Sequence, residues 1–265
     1  MAANLFDQRA LLFLPASNPR AIAKARGSRA EMVILDLEDA VREDDKATAR
    51  EAAVAAVAEA WPMPVGIRVN GLGTRWFTVD VAALSRSKAD FAVVPMVATP
   101  EAINAVREKC AMPVLAMIET ATGVLAAPSI AREAAGLIVG QNDLVADLKL
   151  PAGAGRGPLQ FALQSIVLAA RAAGKPVFDG VFNRLDDPHG LAAECAEARR
   201  LGFDGKTLIH PDQIDACLAA FAPTAEEIAR AQRLVEAASG GAERFEGAMV
   251  EAMHVAAAKR LLTRL

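Results

Sequence analysis

Two carboxylates in the middle of the chain stand where packing gives them no reason to be. Glu119 ends the run Val114-Leu-Ala-Met-Ile-Glu119, and Asp143 ends Gly136-Leu-Ile-Val-Gly-Gln-Asn-Asp143. Each run opens with an apolar stretch of strand length, the pattern of a strand buried on both faces. Acids are rarely buried without a partner. One helix-length segment, residues 122–135, separates the runs. The two acids are therefore expected at the tips of neighbouring parallel strands. Two anionic oxygens converging there suit a hard divalent cation, most simply Mg²⁺ with water in its remaining positions. The blander alternative is that Glu119 caps the next helix and Asp143 makes a loop turn.

A second concentration of charge follows the run Met32-Val-Ile-Leu-Asp36. Asp36-Leu-Glu38-Asp39 places three acids in four residues at a strand tip. Val65-Gly-Ile-Arg-Val-Asn70 carries Arg68 and Asn70 at its end. No Ser-His-Asp arrangement is evident. His210, followed by Pro211, reads as a residue that holds a loop, and His189 and His254 as surface or packing residues.

The elements needed to position these groups are legible as a repeat. Apolar strands are expected at 11–15, 32–36, 65–70, 91–95, 114–119, 136–143, 176–179 and 206–210, with helical segments between them. Eight such alternations are the signature of a (β/α)₈ barrel. Asp36, Arg68, Glu119, Asp143, Asp179 and His210 all fall at or just after strand ends, where barrels build their chemistry. Among the connections, Thr99 is expected to cap a helix over 100–109. The glycine-rich stretch 153–157 lacks the lysine of a phosphate loop and reads as a mobile loop. The barrel is assigned to residues 1–222. Residues 223–265 form an appendage: a capping box at Thr224 and Glu227 opens one helix, and a last helix runs over 254–265. Its apolar positions, among them Ile228, Leu234, Val235, Val255, Leu261 and Leu262, imply packing on the barrel or on a neighbouring subunit.

Composition bounds the rest. With 265 residues and 53% hydrophobic content, the chain is long enough for one large barrel with an ample core. The net charge of −3, with both signs mixed along the chain, offers no basic stripe for nucleic acid. No apolar run approaches membrane-spanning length, and no signal peptide is seen. Cys110, Cys195 and Cys217 are scattered without ligand spacing, and read as reduced, buried thiols of a cytoplasmic protein.

These motifs together resemble the citrate lyase β-subunit (CitE-like) family, relatives of malyl-CoA and β-methylmalyl-CoA lyases. The resemblance rests on Val33-Ile-Leu-Asp-Leu-Glu-Asp-Ala-Val41, Arg68-Val-Asn70, Ile118-Glu-Thr-Ala121 with Gly123, and Ile209-His-Pro-Asp-Gln213. It covers Leu11 to Leu262, in order. It implies that Glu119 and Asp143 bind Mg²⁺, and that Arg68 holds a substrate carboxylate or carbonyl through its planar fork. It also implies that Asp36, Glu38 and Asp39 lie around the metal waters. Pro15 and the basic residues after it, Arg20 and Lys24, would line the approach of a CoA-like thioester, and Asn70 would join Arg68 on the substrate. Two positions depart from the pattern. Met96 stands where the family usually has lysine after a proline. Glu251, in Met249-Val-Glu251-Ala-Met253, replaces an aspartate thought to reach a neighbour's site.

The activity implied is Mg²⁺-dependent cleavage of a C–C bond in a 3-hydroxyacyl thioester such as citryl- or malyl-CoA, releasing a keto acid such as oxaloacetate and an acyl thioester. Glu251 and the Asp36, Glu38 and Asp39 cluster are the candidate bases. The rival readings are a metal-dependent aldolase acting on a free hydroxy-keto acid, and a non-catalytic homologue that binds metal and keto acid. The resemblance also implies a homo-oligomer, a trimer or hexamer.

Overall fold

The computed structural model describes Leu5 and residues 7–263. The chain divides into two compact units, Met1–Phe221 and Ala222–Leu265. In the first, eight parallel strands close in chain order: β1 (Ala10–Pro15), β2 (Met32–Asp36), β3 (Val65–Arg68), β4 (Phe91–Val94), β5 (Val114–Ile118), β6 (Gly136–Val139), β7 (Val177–Asp179) and β8 (Gly205–Leu208). The helices between and after them are α1 (Pro19–Ala25), α2 (Lys46–Val57), α3 (Phe77–Leu84), α4 (Glu101–Arg107), α5 (Ala121–Glu133), α6 (Gln141–Asp147), α7 (Gln160–Ala172), α8 (Pro188–Leu201) and α9 (Ile214–Phe221). This is the (β/α)₈ barrel that the repeat implies. No helix among the described residues is long and apolar enough to cross a membrane.

Side chains alternate between the two faces of each strand. One set, including Leu12, Leu35, Val94, Ala116 and Val139, packs with the helices. The other set, including Leu11, Phe13, Ile34, Val93, Met117, Ile138 and Phe178, fills the barrel interior. Gly66 makes room in that interior, since a methyl group there would overlap the Phe91 ring. Continued one step past the apolar layers, the inward set reaches Pro15, Asp36 and Arg68, which lie side by side in the register of β1, β2 and β3. The same count along β5 reaches Glu119. Strand parity alone thus turns a basic and two acidic side chains into the barrel mouth.

Local signals set the helix ends. Asn18 caps α1, Thr120 caps α5 by accepting from the Gly123 N–H, and Asp187 caps α8, which closes on Gly202 at φ 97°. Since Thr120 caps α5, Glu119 is left for another task. Three expectations need correction. Thr99 does not cap α4, whose N-cap is Pro100 without a side-chain bond; Thr99 bonds the Glu101 carboxylate instead. Asp143 is not at a strand tip, because β6 stops at Val139 and Asp143 sits in the first turn of α6. The glycine-rich loop is pinned, because Arg156 reaches Asp179, Glu194 and Glu197. Cys110, Cys195 and Cys217 are all buried and unbridged.

The second unit comprises α10 (Ala225–Ala237), a hairpin of β9 (Glu243–Phe245) and β10 (Ala248–Val250), and α11 (Ala252–Leu262). Thr224 and Glu227 form the expected capping box. The hairpin was not legible, and α11 starts two residues before His254. Residues 264 and 265 of the expected last helix lie outside the described residues. The apolar positions of this unit, expected to pack on the barrel or on a neighbouring subunit, pack on one another. Ala231, Leu234, Val250 and Ala258 close on one another, with Val235, Phe245, Val255, Leu261 and Leu262 packed around them. Among the described residues of this unit, the large apolar side chains left exposed are Met249 and Met253.

Candidate metal centre

At the C-terminal mouth of the barrel lies a cavity of about 380 Å³, whose lining includes Pro15, Asp36, Asp39, Arg68, Gly140 and Asp143. Glu119 is 1% exposed and lies against Gly140 of that lining rather than in the lining itself. One carboxylate oxygen, Oε1, accepts from the Met96 N–H. The other, Oε2, is buried without a hydrogen-bond partner. Leaving a buried charged oxygen unsatisfied is costly, so such an atom calls for a ligand. Gly140 cradles the group, since a Cβ at 140 would overlap Glu119 Oε2. Burial, and then the nearby charges of Asp143 and Asp39, push Glu119 up to about 7, against the Met96 hydrogen bond and Arg68.

Asp143 reaches the same cavity from α6. This short helix is tied at both ends. The Arg156 guanidinium donates to Gln141 at its start. Asp147 at its end accepts from the Ala121 N–H at 2.6 Å, the first residue of α5. The helix carrying Asp143 is thereby fixed to the element that follows Glu119. Among the described residues no three His, Cys, Asp or Glu side chains converge into a closed cage. Two carboxylates, one with an orphaned oxygen, fit a hard cation that completes its shell with water and substrate oxygens, and Mg²⁺ is the cation of that habit.

Arg68 is held from below by Asp36. Its Nε donates to Asp36 Oδ1 at 2.7 Å and its Nη2 to Oδ2 at 2.6 Å. Nη1 pairs with Glu38 at 2.7 Å, and the Phe13 ring stacks on the guanidinium at 4.9 Å. The bidentate fork expected to grip substrate is therefore occupied by Asp36, and Nη1 by Glu38, although Arg68 lines the cavity. Burial works against the Arg68 charge, but Asp36, Glu38 and Asp39 outweigh it and raise its pKa. Asp36 also accepts from the Glu38 and Ala40 N–H groups, which leaves it no capacity as a base. Burial pushes Glu38 up to about 8 despite Arg68, and burial raises Asp39 as well.

Other expected site residues lie elsewhere. Asn70 is buried with its amide committed: Oδ1 accepts from Lys46, and Nδ2 donates to Leu37 O and Asp80. It supports the acidic loop rather than facing the cavity. Arg20 and Lys24 are exposed on α1, and neither lines the cavity. Glu251 is the exposed N-cap of α11, its N–H donating to His254 Nδ1 at 3.0 Å, in the second unit. Asp179 is fully buried in a pair with Lys206 at 2.7 Å, on the helix-facing side of the barrel. His210 holds a loop, accepting from the Asp212 N–H at 3.2 Å.

Several contributors carried no signal in the sequence. Lys46 uses its ammonium on the carbonyls of Leu37 and Glu38 and on Asn70, clamping the acidic loop. Gln141, Asn142, Asn183 and Thr207 line the cavity, and Asn142 and Asn183 bond each other. Only the strand parity of Thr207 could have pointed to one of them.

A closed (β/α)₈ barrel gathering buried carboxylates and an arginine at its C-terminal mouth is the frame of a barrel enzyme. The chain belongs to the HpcH/HpaI aldolase/citrate lyase family, whose pattern matches residues 9–211. It is 40% identical, over its full length and 96% of the relative, to a (3S)-malyl-CoA thioesterase of Cereibacter sphaeroides. It is 31% identical to the citrate lyase subunit beta of Escherichia coli, covering 97% of this chain and 93% of that one. Its fold superposes on CitE of Mycobacterium tuberculosis, solved with magnesium, acetoacetate and coenzyme A. There the TM-score is 0.88 at 32% identity, over 97% of this chain and 98% of that one.

Proposed function

We propose that the protein is a Mg²⁺-dependent C–C lyase acting on a 3-hydroxyacyl thioester of the malyl-CoA or citryl-CoA type. The observation that carries this reading is the orphaned Glu119 oxygen beside a cavity that also presents Asp143 and Arg68. Glu119 and Asp143 would hold the ion, which when bound supplies Lewis acidity to the substrate's hydroxyl and carboxylate oxygens. Arg68, which lines the cavity, would anchor the anionic end of the substrate in place of its contact with Glu38, while Asp36 keeps the guanidinium plane fixed. With Asp36 saturated and Glu38 paired with Arg68, Asp39, which lines the cavity, is the acid of that cluster placed to accept the hydroxyl proton. As it leaves, the bond between the hydroxyl-bearing carbon and the thioester α-carbon breaks. The hydroxyl carbon becomes the carbonyl of a 2-oxo acid, and the α-carbon takes up a proton to give the acyl thioester. The Mycobacterium tuberculosis relative solved with magnesium and oxaloacetate supports a 2-oxo acid as a ligand of this chain too.

A second reading has its own support. The Cereibacter sphaeroides relatives, 38–40% identical over the whole chain, are named malyl-CoA thioesterases. In that case water attacks the thioester carbonyl and releases CoA and the free hydroxy acid. One assay separates the two. Malyl-CoA and citryl-CoA are incubated with the protein, with and without Mg²⁺, and products are resolved. A 2-oxo acid plus acetyl-CoA supports the lyase, and free thiol plus malate or citrate supports the thioesterase. Metal-independent C–C cleavage contradicts the lyase reading, and no turnover with any thioester contradicts both. A free hydroxy-keto acid as substrate would favour the aldolase. We also propose a homotrimer or hexamer in which Glu251 completes a neighbour's site.

A further inference from the structure

Met96 occupies a backbone conformation that its side chain does not favour. Its φ is 53°, and the other described non-glycine residues with positive φ are Lys149 and Glu246. A side chain at such φ is uncommon, and the conformation persists only where the surroundings over-determine it, often at a functional site. Here the surroundings do so. Met96 lies between Pro95 and Val97, and Val97 donates its N–H to the Met117 carbonyl at 3.1 Å, one strand over. The Met96 N–H turns instead to Glu119 Oε1. Its side chain is half exposed and is not part of the cavity lining. Glu119 is thus gripped on one oxygen by a backbone donor and backed by Gly140, with the second oxygen left over.

We infer that Met96 is a positioning residue acting through its backbone: its left-handed conformation aims the N–H at Glu119 Oε1 and so fixes Oε2 as the cation-binding oxygen. This rests on the metal reading of Glu119 and Asp143. The group that orients the metal ligand is an amide, which every residue but proline supplies, so the side chain can change without disturbing the centre.

The test removes the amide and keeps the side chain. Nonsense suppression with the α-hydroxy acid analogue of methionine puts an ester at position 96, in the full chain. Mg²⁺ affinity is measured by calorimetry beside wild type, Met96→Gly, Met96→Lys and Glu119→Gln. The ester is expected to lose at least about fivefold in affinity, while Met96→Gly and Met96→Lys stay within about twofold of wild type. The infrared carboxylate stretch that vanishes in Glu119→Gln is expected to shift in the ester and to hold its place in Met96→Gly. A merely structural role for residue 96 would not move that band. Unchanged affinity in the ester, or a loss in Met96→Gly or Met96→Lys like that expected of the ester, overturns the inference while leaving the metal reading intact. Should the ester fail to fold, the two side-chain variants still decide against it. Retained Mg²⁺ binding in Glu119→Gln removes the metal reading and this inference together.

Discussion

At the scale of single residues, the site is a contest between burial and charge. Arg68 wins its charge because Asp36 answers it with both oxygens. A lysine cannot reproduce that pairing. Arg68→Lys is expected to weaken oxaloacetate binding by at least about tenfold, some 1.4 kcal/mol, while Mg²⁺ affinity stays near wild type. Unchanged oxaloacetate affinity in a calorimetric titration would take Arg68 out of the site. Glu119 loses part of its charge to burial, standing at about 7 against an ordinary 4.5. A carboxylate raised in this way binds more protons folded than unfolded. Its contribution therefore destabilises the metal-free protein as pH rises from about 4.5 to 7, and Glu38, at about 8, has the same sign. Melting in chelator is expected to show lower stability at about pH 8 than at about pH 6, with a smaller difference in Glu119→Gln. Added Mg²⁺, which needs the ionised carboxylate, is expected to raise the melting temperature more at the higher pH. An identical pH dependence in wild type and Glu119→Gln would contradict the environment described for that residue.

At the scale of elements, the centre depends on where β5, β6 and α6 end and begin. Gly140 is the hinge of that arrangement, the residue between β6 and α6 on which the Glu119 carboxylate rests. Gly140→Ala is expected to cost about 1–3 kcal/mol of stability through overpacking. It is also expected to abolish tight Mg²⁺ binding, as read by denaturant melts and metal titration on one preparation. Wild-type values in both would show that the carboxylate lies elsewhere. Much of this was legible in the sequence, because strand parity is a strict rule. Once Met32–Asp36, Val65–Arg68 and Val114–Ile118 are strands, Asp36, Arg68 and Glu119 must turn into the mouth. Asp143 was legible as a residue but not as a helix position. A seven-residue helix is too short to show an apolar period, so α6 read as more strand. The clamp on the acidic loop was illegible for a different reason. Lys46 bonds backbone carbonyls, which leave no trace in side-chain spacing. Asn70 was read toward the cavity because it ends a strand run, whereas Lys46 and Asp80 hold it in the wall.

At the scale of the whole molecule, assembly turns on the second unit. Its apolar residues close on one another rather than on the barrel or a neighbouring subunit, the two alternatives their sequence pattern offered. The case for assembly rests on Glu251, exposed at the start of α11, and on exposed Met249 and Met253 beside it. A homo-oligomer is expected in sedimentation at micromolar concentration, and Glu251→Ala is expected to lower turnover while sparing metal affinity. A monomer, or full turnover in that variant, would end the proposal that Glu251 completes a neighbour's site. Everything else in the account depends on the cation, and its binding is the most direct measurement. Calorimetric titration of Mg²⁺ into wild type, Glu119→Gln and Asp143→Asn, each checked for native circular dichroism, is predicted to give one site in wild type and none in either variant. Wild-type binding in both variants would contradict it.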